Sequence, residues 1–238
     1  MAPIPLTPVG WLNGFTASGV FLFSVIFGLF AMYKARKLHL NPLFYIGLTY
    51  FFAGLIFTGD FLDFLTVIIT QDNMDNSLGI IGLINWMWFP GVAIFGMYFG
   101  AELIVPQKKW TIFTIYLILG IIFDVLLFLF PSSALTYTTP IPSGSDLIND
   151  SLILESIPSI LAMIFLISIL ILDGFGFLRK GIQSTGIIRR KFFYLSLGAF
   201  LYIAGGILDG LFDPGLYLIF VRAAMIVSAI LFYLGVKK

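Results

Sequence analysis

The sequence predicts an all-α integral membrane protein with seven transmembrane helices, its N-terminus outside the cell and its C-terminus in the cytoplasm. Hydrophobic residues make up 60% of the 238-residue chain and charged residues only 11%, whereas soluble domains contain about 45–50% apolar and about 25% charged residues. A chain of this size cannot bury so much apolar surface in its own core, so lipid must surround it. The apolar residues also form seven runs, and nearly all basic residues lie in the connecting segments that would face one side of the membrane.

Each of the seven runs is bounded by a charged residue or a proline. At 1.5 Å per residue, each is long enough to cross about 30 Å of hydrocarbon. The second and third runs exceed that length, so we expect them to tilt or to project beyond the bilayer. The boundary residues, in chain order, are Lys34, Pro42, Pro106, Pro131, Arg179, Lys191 and Pro214. The predicted helices are 11–33, 43–70, 78–105, 110–130, 152–178, 192–212 and 215–236, within a single transmembrane domain over 1–238.

The predicted orientation follows from the basic residues. Twelve of the thirteen Lys and Arg residues lie after the first, third, fifth and seventh helices, and the opposite loops contain none. The positive-inside rule therefore places the basic side in the cytoplasm. Residues 1–10 contain no basic residue, so the first helix lacks the charged region of a cleaved signal peptide. We expect a multi-pass protein of the plasma membrane with an uncleaved N-terminus outside.

The loops leave little room for a soluble module. The longest, 131–151, is rich in Ser, Thr and Pro and is predicted to form an ordered cap or a flexible loop. The basic loop 179–191 is predicted to bind anionic lipid, or to dock a protein partner. The formal net charge of +1 gives no indication of nucleic-acid binding.

The second and sixth predicted helices share a pattern without a gap. Both enter the membrane from the same side, so the match favours a 3+1+3 parallel duplication with the fourth helix as linker. Chance similarity between two Phe- and Leu-rich helices is the alternative. The shared residues are Phe44, Tyr45, Leu48, Phe51, Asp60 and Leu62 in the second helix, and Phe193, Tyr194, Leu197, Phe200, Asp209 and Leu211 in the sixth.

Arg222 is the one basic residue outside the predicted cytoplasmic segments. It lies about 12 Å into the seventh helix, where an arginine costs at least about 2.5 kcal/mol unless a partner or water is present. Asp124 is predicted at about the same depth and Asp209 about one turn higher, so either carboxylate could pair with it. The pair would form the charged floor of an outward-facing cavity, or it would lock three helices together.

Further polar and aromatic residues lie in the outer half of the predicted bundle. Asp60 and Asp63 are one helical turn apart, and the sequence allows a paired-carboxylate cation or proton site or two wet carboxylates at the rim. A second candidate group is Asn85, Trp86 and Trp88, followed by Pro90, which should kink the third helix. Indole rings beside carboxylates could hold an organic cation, or they could belong to an interfacial aromatic belt.

Two acidic residues lie near the other end. Glu102 and Asp173 are within two turns of basic loops, so interfacial ion pairing is expected for both.

Seven helices with an outside N-terminus is similar in topology to the microbial rhodopsins, and Asn85-Trp86 followed by Pro90 is similar to their third helix. The seventh helix contains no lysine, so no retinal Schiff base is expected. The 3+1+3 pattern is similar in topology to the small sugar carriers built from two three-helix bundles. With no cysteine and the single His39, neither a bis-His haem nor a multi-histidine zinc site is expected, and no cofactor is predicted.

These features favour a small-solute carrier with an outward-facing polar pocket. The alternatives are a seven-helix receptor or sensor acting through a separate partner, and a structural subunit of a membrane complex. Asp60 with Asp63, or Asp124, could act as acid–base groups in an enzyme, but no nucleophile, metal cluster or cofactor motif supports that reading.

Overall fold

The computed structural model describes residues 6–237 and is 78% helical. Most helices join through short turns, and one longer polar segment folds over one end of the bundle. The helices are α1 Pro8–Leu38, α2 Asn41–Leu55, α3 Thr58–Thr70, α4 Ile80–Trp86, α5 Phe89–Ile104, α6 Lys109–Leu129, α7 Pro131–Ala134, α8 Ile157–Ile169, α9 Gly176–Gln183, α10 Gly186–Leu211 and α11 Leu218–Val236. The strands are β1 Leu135–Thr138 and β2 Asn149–Leu152.

Six helical segments within residues 6–237 are long and apolar enough to cross a membrane, and a bent pair, α2 with α3, makes a seventh if it counts as one span. A helical membrane protein is therefore confirmed. The six segments are Pro8–Leu38, Ile80–Ile104, Pro106–Leu129, Ile157–Gln183, Gly186–Leu211 and Leu218–Val236.

The predicted second helix, 43–70, is divided by a bend of 42° between α2 and α3. At the bend, Phe57 N donates to the Gly54 carbonyl at 3.0 Å, a tighter turn than that of an α-helix. The helix α10 is continuous, so the two helices of the predicted repeat differ in shape. The duplication itself stays a prediction.

The predicted third helix, 78–105, is interrupted between α4 and α5, at Met87 and Trp88. The interruption lies directly before Pro90, but α4 and α5 together count as one span, Ile80–Ile104, so the expected kink stays a prediction. Proline has no N–H, so the carbonyl of Trp86 loses the donor that would continue the helix. The chain resumes as a helix at Phe89, with Pro90 in the first turn.

The predicted fifth helix, 152–178, starts later and ends later than expected. It begins at Ile157 because Ser156 caps it, its hydroxyl accepting from Ser159 N at 3.2 Å. A wider π-helical turn, Leu170–Phe175, joins α8 to α9, which continues to Gln183. The other helices differ from their predicted bounds by a few residues at each end.

Residues 131–156 form an ordered cap, one of the two predicted alternatives. The strands β1 and β2 pair antiparallel, with Leu135 opposite Leu152, so the cap adds one short two-stranded sheet to a helical chain. Asp63, fully buried on α3, ties the cap to the bundle. Its carboxylate accepts from Met74 N at 2.8 Å, from Ile148 N at 2.9 Å and from Asn73 Nδ2 at 3.0 Å.

Apart from Arg222, the basic residues of the part of the chain that the structure describes lie at the end of the bundle opposite the cap. The C-terminal turns of α1 and α11 pack together through Ala31, Ala35 and Val236. Lys191 Nζ donates to the Lys237 carbonyl, which joins the start of α10 to the end of α11. The cap, by contrast, contacts the start of α1, where Thr7 N donates to the Ser145 carbonyl at 2.8 Å. The acidic cap and the basic end are therefore separated by the length of the bundle.

Candidate functional site

A cavity of about 430 Å³ lies directly beneath the cap. Pockets that bind small molecules have volumes of about 300–1,000 Å³. The walls come from α1, from the two interrupted spans, from the cap, and from α8, α10 and α11. Its polar lining residues are Asn13, Asp60, Asn85, Asn149, Asp150, Ser159, Asp209 and Arg222.

Asn85, buried at the end of α4, organises one side of the cavity. Its Nδ2 donates to Asp60 Oδ1 at 3.0 Å and to Asp150 Oδ1 at 2.9 Å, while its Oδ1 accepts from Gly59 N at 2.6 Å. The second oxygen of Asp150 accepts from the Trp86 indole N–H at 2.9 Å. One amide therefore holds a carboxylate from α3 beside a carboxylate from the cap.

Arg222, buried on α11, organises the other side. Its Nε donates to Asp209 Oδ1 on α10 at 3.2 Å. Its Nη1 donates to the backbone carbonyl and the side-chain Oδ1 of Asn13 and to Thr16 Oγ1, each at 2.8 Å. The guanidinium also lies 5.4 Å from the centre of the Phe57 ring. The arginine therefore connects α1, α10 and α11.

The charges that line the cavity do not balance. Asp60, Asp150 and Asp209 face a single guanidinium, and that guanidinium pairs with Asp209. Asp60 and Asp150 receive hydrogen bonds from the neutral groups of Asn85 and Trp86. Burial raises the pKa of Asp150 to about 6, and the nearby charge of Asp209 adds to the rise, while the bonds from Asn85 and Trp86 oppose it.

Most of the remaining wall is apolar. The rings of Phe57, Trp86 and Phe89 border the cavity, together with aliphatic side chains of α8. Gly206 and Gly210 leave open space on the α10 side, since a Cβ on either would meet no atom within 4 Å. The cavity therefore combines a charged end with an apolar body.

Five of the eight residues predicted from the sequence are brought together here: Asp60, Asn85, Trp86, Asp209 and Arg222. Of the two candidate partners of Arg222, the structure selects Asp209. Pairing of Arg222 with Asp124 was wrong, because Asp124 lies on α6, which does not line the cavity. Its buried Oδ1 has no hydrogen-bond partner among the described residues.

Asp63 and Trp88, two other predicted site residues, do not line the cavity. Asp60 and Asp63 do not form a paired-carboxylate site, because Asp63 accepts from the cap while Asp60 accepts from Asn85. Trp88 lies outside the cavity lining, with its ring 6.1 Å from that of Phe52. Residues two positions apart face nearly opposite sides of a helix, so Trp86 and Trp88 have different surroundings.

Of the two acidic residues predicted to form ion pairs near the basic end, Glu102 does so and Asp173 does not. Glu102 Oε2 pairs with Lys109 Nζ at 2.6 Å. Asp173 is instead buried in the π-helical turn, where its Oδ1 has no partner among the described residues. It adjoins a separate, almost wholly apolar cavity of about 30 Å³, and its Oδ1 packs against Gly100, where a Cβ would be 1.7 Å away.

Sequence reasoning missed Asn13, Asn149 and Asp150. The two cap residues carry no helical periodicity, and only the folding of the cap over the bundle brings Asp150 to Asn85, which is 65 positions earlier in the chain. The buried Asn13, in the outer half of the predicted first helix, was the available signal, since a buried amide requires partners.

No protein-family model matches the chain, and no curated protein shows significant similarity to it. Within residues 6–237, no group of three or more His, Cys, Asp or Glu side chains is arranged to hold a metal ion. The site must therefore be interpreted from its own geometry.

Proposed function

We propose that this protein is a carrier for a small solute, with the cavity beneath the cap as its binding site. The supporting observation is that two interrupted spans border the same cavity. Ile56 and Phe57 form the break between α2 and α3, and Asp60 is in the first turn of α3. Trp86 and Phe89 flank the break between α4 and α5.

Interrupted helices serve carriers in two ways. Their free backbone groups and displaced side chains can contact a solute within the membrane, and the break can act as a hinge. A change in the 42° bend would move Asp60 relative to the cap and would alter access to the cavity. A continuous helix would resist such a change, because many backbone hydrogen bonds would have to break at once.

The proposed orientation places the cap and cavity outside and the basic end in the cytoplasm. It rests on the positive-inside rule and the separation of the two ends. We assign the protein to the plasma membrane on the same reasoning. The basic segment 179–191, predicted as a loop, is the end of α9 and the start of α10, joined at Ser184 and Thr185. Its exposed residues Arg179, Arg189 and Arg190 would contact anionic lipid, and the same segment could accept a protein partner.

The test is solute uptake into proteoliposomes containing the full chain. Three labelled probes share an aromatic body and differ in charge: benzyltrimethylammonium, phenylacetamide and phenylacetate. We expect saturable uptake of at least one probe. Gly206→Phe should abolish that uptake because the ring would occupy the open space beside α10.

The matched control is Gly19→Phe, at an exposed glycine of α1 that also has no atom within 4 Å of its Cβ position. Uptake should survive in this variant. Equal effects of the two substitutions, or no uptake of any probe, would contradict the carrier proposal. A probe that raises the thermal stability of the protein without crossing the membrane would instead support the receptor alternative.

A further inference from the structure

The identity of the charged groups narrows the class of solute. Asp60 and Asp150 converge on Asn85 and have no cationic partner within residues 6–237, while Arg222 is engaged by Asp209, Asn13 and Thr16. An anion entering the cavity would approach three carboxylates and one already paired guanidinium. A cation would relieve the repulsion between Asp60 and Asp150, both of which are within 3.0 Å of the same nitrogen.

The walls next to these carboxylates suit an organic cation better than a hydrated inorganic one. Trp86 donates its indole N–H to Asp150, so its ring lies directly beside the carboxylate. Phe57 and Phe89 complete an aromatic border to the cavity. Aromatic faces attract ammonium groups, and the attraction strengthens where water is displaced. An apolar body attached to the ammonium would occupy the space along α8 and α10.

We propose that the cavity binds a monovalent organic cation, with its ammonium group between Asp60 and Asp150 and its apolar body along Trp86 and Phe89. This inference rests on the proposed function, because it uses the same cavity. It adds the chemical class of the solute and assigns the two carboxylates as the groups that select it.

Binding of the three probes to the purified full chain tests this selection. Benzyltrimethylammonium should bind at least tenfold more tightly than phenylacetamide and phenylacetate. Asp150→Asn should weaken ammonium binding at least tenfold and leave phenylacetamide binding unchanged. Glu155→Gln is the matched control, because Glu155 is an exposed carboxylate just beyond the cap strands and does not line the cavity.

Asp60→Asn provides a second variant should Asp150→Asn fail to fold, and the same loss of ammonium binding is expected. Equal or preferential binding of phenylacetate or phenylacetamide would overturn the inference while the carrier proposal stands. Uptake of one of those two probes, abolished by Gly206→Phe, would have the same meaning. Ammonium binding that is indifferent to both Asp60→Asn and Asp150→Asn would also overturn it.

Discussion

Arg222 and Asp209 form a buried ion pair between neighbouring helices, with Nε of the arginine 3.2 Å from Oδ1 of the aspartate. The same guanidinium holds Asn13 and Thr16 on α1. A buried arginine with several acceptors is stable only while those acceptors remain in place. The pair therefore fixes the side of the cavity opposite Asn85, whichever solute the cavity binds.

Loss of one member of this pair should destabilise the protein strongly. Arg222→Gln leaves Asp209 without its cation, and breaking a buried pair in this way costs about 3–5 kcal/mol. Adding Asp209→Asn removes the uncompensated charge and should restore part of the stability. Thermal unfolding of the purified protein measures both effects. Arg179→Gln, at an exposed residue, is the control. A double variant no more stable than Arg222→Gln would contradict this account.

The sequence predicted the site residues that differ in charge or backbone chemistry from the apolar helix around them. Arg222 interrupts an apolar run, and burial at that depth requires a partner. Pro90 removes a backbone donor, and the third predicted helix is interrupted directly before it. The depth estimate could not select between Asp124 and Asp209, since it fixes height along the membrane but not rotation about the helix axis. Contact with α11 decides the pairing, and only α10 provides it for a carboxylate.

The contacts between the cap and the bundle could not be predicted from the sequence, for a different physical reason. Asp63 receives backbone N–H groups from Met74 and Ile148, which are 11 and 85 positions away. Those bonds depend on the path of two loops, and loops carry no periodic pattern of apolar residues. The predicted paired-carboxylate site of Asp60 and Asp63 was wrong. A spacing of one helical turn places two side chains near each other, but it does not specify which hydrogen-bond donors from other segments contact each of them.

Asp63 should control the order of the cap. Asp63→Ala would leave the N–H groups of Met74 and Ile148 and the amide of Asn73 without their acceptor, and each buried unsatisfied donor costs about 1–3 kcal/mol. We expect faster amide hydrogen exchange across 73–76 and 146–150, with little change in α5 or α10. Asp75→Ala alters an exposed carboxylate of the same loop, which accepts from Ser77 N, and is the control. Unchanged exchange across the cap would show that Asp63 does not hold it.

Asp150 should make both stability and cation binding depend on pH. Its folded-state pKa, about 6, is above the value of 3.8 for an unperturbed aspartate, so its stabilising effect is full below about pH 4 and is lost as pH rises through about 6. Ammonium binding should show the opposite trend and strengthen from about pH 5 to about pH 7, as the carboxylate ionises.

Two titrations check the dependence on Asp150. Thermal unfolding without ligand and benzyltrimethylammonium binding should be measured over the same pH range in the wild type and in Asp150→Asn. The difference between the two proteins reports the titration that depends on Asp150, including its effect on Asp60, which accepts from the same Asn85 nitrogen. The other titratable groups facing the cavity are Asp209, Tyr202 and Arg222. Parallel pH curves for the two proteins would assign the dependence to one of those groups.

The packing of α1 against α2 should be disrupted by a larger side chain at Gly28 but not by one at Gly19. A Cβ on Gly28 would lie 2.7 Å from both the Gly47 carbonyl oxygen and Phe51 N, which are backbone atoms that cannot rotate away. Gly28→Ala must therefore separate the two helices and should lower the unfolding temperature. Gly19→Ala, on the same helix with no atom within 4 Å, should raise stability by up to about 1 kcal/mol, because alanine favours helix more than glycine does. Thermal unfolding in the same membrane mimetic compares the two, and a rise in the unfolding temperature for both would show that helix propensity, and not close approach, governs this interface.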